Sequence, residues 1–167
     1  EGIRLENVNV SADITASGAG GLDTGAEGAN TWYYVWAITN NTGTSTNGLL
    51  STSSTSPTLP SGFTKKRRVG AVRNDGASNF LNFAQEGNTC NYNLAYATPL
   101  WGGRDTSWTT IDCSSLIPST SRRGFFRLAG IVKYGTDNTP FNISLRPSVT
   151  GGGSTLTMNL RNNDTTH

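Results

Sequence analysis

Histidine is almost missing from this chain: the single one, His167, is also the last residue. A lone imidazole at a chain end is a poor general base. Its position removes Ser-His-Asp and Cys-His arrangements from consideration. Cysteine is nearly as scarce, with only Cys90 and Cys113. Two cysteines are too few for a disulfide scaffold, and with one histidine they cannot compose a zinc site of usual make-up. They pair if the strands carrying them meet, whereas two free thiols suit assembly in a reducing cytoplasm. Charge is sparse too: 14% of residues are charged and the net charge is +2, which offers no strong field for nucleic acid or an acidic membrane. No run approaches the roughly 18 apolar residues that span a bilayer. Gly18-Ala19-Gly20-Gly21 lacks the following helix that a nucleotide-binding loop requires. The expectation is no catalytic residue, no metal, no cofactor, no nucleic acid and no membrane insertion.

Glycine, serine, threonine and asparagine fill the space that charge and apolar residues leave, and they imply many turns between short strands. Thr31 to Ile38 is the strongest strand signal. Trp32, Tyr34, Trp36 and Ile38 alternate with Tyr33, Val35 and Ala37, so both faces are apolar. Such a strand belongs at the centre of a sheet covered on both sides, with Trp32 and Trp36 in the core. Ile3 to Ile14 shows a broken period of two and reads as a strand. Ser17 to Gly21 reads as a flexible loop, and Asn40-Asn41-Thr42-Gly43 as a turn. Ser51 to Pro60, rich in Ser, Thr and Pro, reads as a long surface connection.

Arg67 to Asn74 is the next strand. Asn74-Asp75-Gly76 is a hairpin turn, since Asp-Gly accepts positive φ, and the return strand runs from Phe80 to Glu86. Asn91 to Ala97 alternates through Tyr92, Leu94 and Tyr96. Ser107 to Ile111 reads as a strand, Ser114 to Pro118 as one short helical turn, and Arg123 to Lys133 as another covered strand. Phe141, Ile143 and Leu145 alternate, as do Leu156, Met158 and Leu160, around a Gly151-Gly152-Gly153 turn. This makes roughly eight to ten strands and no amphipathic helix. The expected fold is all-β, a jelly-roll-like antiparallel β-sandwich, with residues 1–167 forming a single domain. Neither Glu1-Gly2-Ile3-Arg4-Leu5 nor the tail from Asn162 reads as a natural end, so a fragment of a longer protein is expected.

Trp101 and Trp108 flank Gly102-Gly103-Arg104-Asp105-Thr106. Tryptophans on a loop can stack on a sugar while Arg104 and Asp105 fix its orientation, and these four residues are the glycan candidates. The competing reading puts Trp108 in the core, alternating with Thr110, and Trp101 under the loop. Asp23, Glu27, Asp75, Glu86, Asp105, Asp112 and Asp137 offer material for a hydrolytic carboxylate pair, but most sit in turns where Asp is ordinary. Lys65-Lys66-Arg67-Arg68 is the one basic run. It reads either as a polyanion patch or as a solvated strand start whose long stems lie over an apolar edge.

An ordered succession of motifs carries a resemblance. Gly20-Gly21-Leu22-Asp23-Thr24-Gly25 is followed by Asn30-Thr31-Trp32-Tyr33-Tyr34-Val35-Trp36. Then come Leu50-Ser51-Thr52-Ser53, Pro57-Thr58-Leu59-Pro60-Ser61-Gly62-Phe63-Thr64 and Arg67-Arg68-Val69-Gly70-Ala71-Val72-Arg73. Over residues 18 to 86 this resembles a module of tailed-bacteriophage and prophage virion structural proteins, of tail-fibre or head-fibre type. The resemblance implies a β-rich virion component, often a homotrimer, assembled in the host cytoplasm and exposed on the extracellular particle. It supplies no catalytic residues.

The expected function is therefore that of a fibre-type phage virion domain, trimeric, contacting other virion proteins and attaching to a host-surface glycan or protein. The alternatives are a capsid decoration or head-fibre domain, and a carbohydrate-binding module of a polysaccharide-active enzyme. The first predicts a large apolar interface between copies, and the last a monomer with exposed tryptophan.

Overall fold

The computed structural model describes residues 2–87, 89–92, 107, 109–124, 141–145 and 156–160. The described strands are seven: β1 (Trp32–Thr39), β2 (Thr46–Ser51), β3 (Lys65–Arg73), β4 (Phe83–Glu86), β5 (Thr89–Tyr92), β6 (Phe141–Leu145) and β7 (Leu156–Leu160). All their pairings are antiparallel. The described residues contain no helix and are all-β. The chain divides into two compact units, Glu1–Gly103 with Ile111–Arg122, and Arg104–Thr110 with Arg123–His167.

The first unit is built on a three-stranded sheet in the order β2-β1-β3. β1 is central because its aromatic and β-branched residues have apolar side chains to bury on both faces. On one face Tyr33 gathers Leu22, Leu50 and Val72, with Ala12, Ile14 and Val35 packed against them. On the other, Tyr34, Trp36 and Ile38 pack with Leu49, and Leu59, Phe63 and Ala71 close over them. Trp36 is thus core, as the alternation predicts. Trp32 is not: it is half-buried, and its indole N–H donates to Ser114 O at 2.7 Å.

Irregular segments cover both faces of this sheet. The stretch from Ile3 to Ile14, expected as a strand, forms none. It crosses the Tyr33 face so closely that a Cβ on Gly48 would sit 2.4 Å from Ser11 O. The glycine-rich segment, expected as a flexible loop, instead lies along the outer edge of β2. Gly20 N donates to Gly48 O, Leu50 N to Gly21 O and Asp23 N to Leu50 O, all at 2.8 Å. Leu22 is 2% exposed. The Ser/Thr/Pro connection covers the opposite face with Leu59 and Phe63, and its Thr58 N–H donates to Asp23 Oδ2 at 2.9 Å.

β3 carries a bulge. Val35 pairs with Gly70 and Trp36 with Arg68, which leaves Val69 without a partner and 49% exposed. An unpaired residue shifts every later side chain to the opposite face. Lys66 therefore shares the Trp36 face, with its ammonium 5.6 Å from the indole centroid. A turn joins β3 to its return at Asp75, as expected, but the positive φ expected of the Asp-Gly pair falls instead on Ser78, at 62°. Asp75 Oδ1 accepts from Ala77 N at 2.8 Å and Asn79 N at 3.0 Å, and a bridge links Asn74 to Phe80. The return is a strand only from Phe83. Asn40 closes the β1–β2 turn in the same manner, accepting the Thr44 N–H at 3.0 Å.

Residues 114–116 make a turn in which Leu116 N and Ile117 N both donate to Cys113 O at 2.9 Å, as expected for one helical turn. Ser107 and residues 109–111 are not in a strand. The strand expected over Arg123 to Lys133 lies outside the described residues from Phe125 onward. In the second unit, β6 and β7 pair Phe141 with Leu160, Ile143 with Met158 and Leu145 with Leu156. The alternating apolar positions of the two segments are thus register partners. Cys90 and Cys113 are both free thiols.

Candidate functional site

The glycan candidates read from the sequence, Trp101, Arg104, Asp105 and Trp108, lie outside the described residues. The described residues bring together a different aromatic group, on the hairpin of β4 and β5. Phe83 and Tyr92 are direct register partners, and their rings lie 5.9 Å apart at 47°. Trp32 meets Tyr92 edge-on at 5.7 Å. Such offset and edge contacts suit the ring quadrupoles.

Backbone carbonyls of β3 hold the hairpin in place. The Tyr92 hydroxyl donates to Ala71 O at 3.1 Å, and Gln85 Nε2 donates to Val69 O at 3.2 Å. The Leu81 N–H donates to Arg73 O at 2.8 Å. Carbonyls at 69, 71 and 73 are therefore capped in succession along one strand edge, two of them by side chains. Capping an edge this way removes the template that an unpaired strand offers to another chain. Burial, and then the neighbouring Cys90 thiol, push the Tyr92 hydroxyl above its ordinary range.

The hairpin also borders an open depression of about 640 Å3, lined by Asn82, Phe83, Ala84, Asn91 and Tyr92; Ala84 and Asn91 are register partners and so lie on the face opposite the Phe83–Tyr92 pair. Its lining is uncharged. Phe83 is 40% exposed, and Asn82 and Asn91 are exposed. Sequence reading missed this group because alternation gives the face a residue takes but not what covers that face.

Several carboxylates hold turns together, and Asp105 and Asp137 lie outside the described residues. Backbone and side-chain donors of Thr15 hold the Asp13 carboxyl below the usual carboxylate range. The N–H groups of Asn79 and Ala77 do the same for Asp75, and Ser114 does so for Asp112. In the basic run, Lys66 lies over Trp36 and the Arg68 guanidinium donates to Ser54 O. That is the arrangement expected of long stems over an apolar edge. Among the described residues no group of three or more His, Cys, Asp or Glu side chains is placed to hold a metal. Nor is there among them a helix long and apolar enough to cross a membrane. Comparison of the chain with protein-family models, with curated proteins and with solved structures found no match to any of them.

Proposed function

We propose that this chain is a structural domain of a bacteriophage virion, of fibre type and homotrimeric, that attaches to a glycan or protein on the host surface. In this reading it is not an enzyme. It assembles in the host cytoplasm and is displayed on the extracellular particle, beside other virion proteins. The complete domain is a jelly-roll-like β-sandwich.

The observation that carries the reading is the ordered motif succession over residues 18 to 86, which resembles the phage virion module. Its motifs also depend on one another physically. Gly21 O accepts from Leu50 N and Asp23 N donates to Leu50 O on β2, and the Asp23 carboxylate accepts from Thr58 N in the Pro57 to Thr64 segment. Thr64 N, where that segment ends, donates to Thr39 O at the end of β1 at 3.0 Å. A succession whose members hold one another reads as the specification of a fold rather than of a catalytic centre. Sparse charge and short hydrogen-bonded turns suit a particle that must survive outside the cell.

The test is electron microscopy of phage particles carrying the encoding gene, labelled with an antiserum raised against the purified chain. Gold on fibres, together with blocked adsorption to host cells, is the expected result. Unlabelled particles would overturn the reading, and label confined to the capsid shell would favour a decoration protein.

A further inference from the structure

We propose that Lys66 and Arg68, neighbours on one face of β3, form a docking surface for an anionic polysaccharide of the host surface. The proposal rests on the attachment function above and names the surface and the chemistry of its ligand.

The cations of this part of the chain are concentrated. Of the six Lys and Arg residues before position 93, four stand in Lys65-Lys66-Arg67-Arg68. The register divides them between two faces. Lys66 pairs with Ile38 and Arg68 with Trp36, so both project from the Trp36 face. Lys65 and Arg67 pair with Thr39 and Ala37 and project from the other. Lys66 and Arg68 are exposed, and neither has a carboxylate partner among the described residues, where the one ion pair joins Arg4 to Glu6.

Both side chains are positioned by groups that leave the charge uncompensated. The Lys66 ammonium is held 5.6 Å from the Trp36 ring centroid, and the Arg68 guanidinium donates to the backbone carbonyl of Ser54. A ring face and a carbonyl orient a cation but carry no net charge. The guanidinium has more N–H donors than this one contact uses, in a fork that matches a carboxylate, sulfate or phosphate. An oxyanion therefore supplies the counter-charge that the described fold does not, on cations already ordered for it.

The spacing favours a polymer. Alternate residues of an extended strand lie about 6.7 Å apart at the backbone, so successive charges of one chain can engage both cations. The surface is also open along the strand, because the β4–β5 hairpin bonds to the carbonyls of Val69, Ala71 and Arg73, beyond this pair. Two cations in a chain of net charge +2 are too few for nucleic acid, whose binding draws on many phosphates at once. They suit a weak contact that three copies multiply into firm attachment.

The experiment is isothermal titration of the full chain with polygalacturonate and with dextran sulfate. Unmodified dextran is the neutral probe and single-stranded DNA a polyanion of another class. The expected result is saturable binding of one or both anionic polysaccharides, none of dextran, and a loss of about tenfold between roughly 0.05 M and 0.5 M salt. The carboxylate and sulfate arms show which oxyanion is preferred. Lys66→Gln and Arg68→Gln should each weaken binding by about three- to fivefold while the melting temperature holds, and Arg68→Lys should retain most of it. Arg67→Gln removes the same charge from the opposite face and should change binding by less than about twofold. An equal loss at Arg67→Gln, tighter binding of DNA, or no saturable binding of either anionic polysaccharide would overturn the proposal. Binding by a chain whose antiserum leaves phage particles unlabelled keeps the surface and loses the virion reading. Labelled fibres from a chain that binds neither polysaccharide keep the virion reading and lose the surface.

Discussion

The side chain of Asn74 holds the backbone of Thr31. Its Oδ1 accepts the Thr31 N–H at 2.7 Å, and the Asn74 N–H donates to Thr31 O at 3.2 Å. Its Nδ2 donates to Gly28 O at 2.7 Å and Glu27 Oε1 at 3.2 Å. Asn74 is fully buried, so one amide sets the path by which the chain enters β1.

Asn74→Asp should therefore destabilise the protein. A carboxylate keeps the Thr31 contact but loses both donors and faces Gly28 O and Glu27. The expected loss is about 2–4 kcal/mol, read as a lower urea midpoint. Asn79→Asp, at an exposed turn position, should stay within about 0.5 kcal/mol.

The two tryptophans of β1 should separate in the same assay. Trp36 is 6% exposed in the Tyr34 cluster, whereas Trp32 is half-buried outside it. Trp36→Ala should cost about 3–5 kcal/mol. Trp32→Ala should cost less than half of that, because it loses one hydrogen bond and one aromatic edge contact.

Two glycines are fixed by close backbone approach. A Cβ on Gly21 would lie 2.4 Å from Ala16 O, and one on Gly48 equally near Ser11 O. Neither carbonyl can withdraw as a flexible side chain would. Gly21→Ala and Gly48→Ala should each lower stability by about 2 kcal/mol or more. Gly2→Ala, where the space is open, should be neutral. Differential scanning calorimetry of the three variants checks this.

Acid should loosen the turns before the core. The folded pKa of Asp13, Asp75 and Asp112 lies below the ordinary 3.8. The stability these carboxylates add is therefore present above about pH 4 and lost as pH falls through their folded values. At the alkaline end Tyr92 acts in the opposite sense. Its pKa is raised from 10.0, so its contribution is complete below pH 10 and declines as pH rises further. Asp75→Asn should flatten the acid limb of the stability profile, and Tyr92→Phe the alkaline limb.

The centre of the fold was legible in the sequence where packing follows periodicity. Tyr33 to Ile38 announces a strand with two covered faces, and Phe141 to Leu145 and Leu156 to Leu160 announce a register-matched pair. Ile3 to Ile14 misleads because irregular chain places its apolar residues: Ile14 packs on the Tyr33 cluster, Ile3 and Leu5 lie beside Gly43, and Val8 is exposed. Alternation reports burial and not hydrogen-bond partners. The bulge at Val69 is set by Trp36 taking Arg68 as partner, a choice made between strands and invisible within either. The glycine-rich segment reads as flexible by composition, yet its N–H and C=O groups are bound to β2. The aromatic group on β4 and β5 escaped because the exposure of Phe83 depends on what lies across from it.

Whether the proposed virion fibre domain is a trimer is read from its solution mass by light scattering. A species of three times the 17.7 kDa chain mass, unchanged on dilution through the micromolar range, is the expected result. A monomer at every concentration would contradict it.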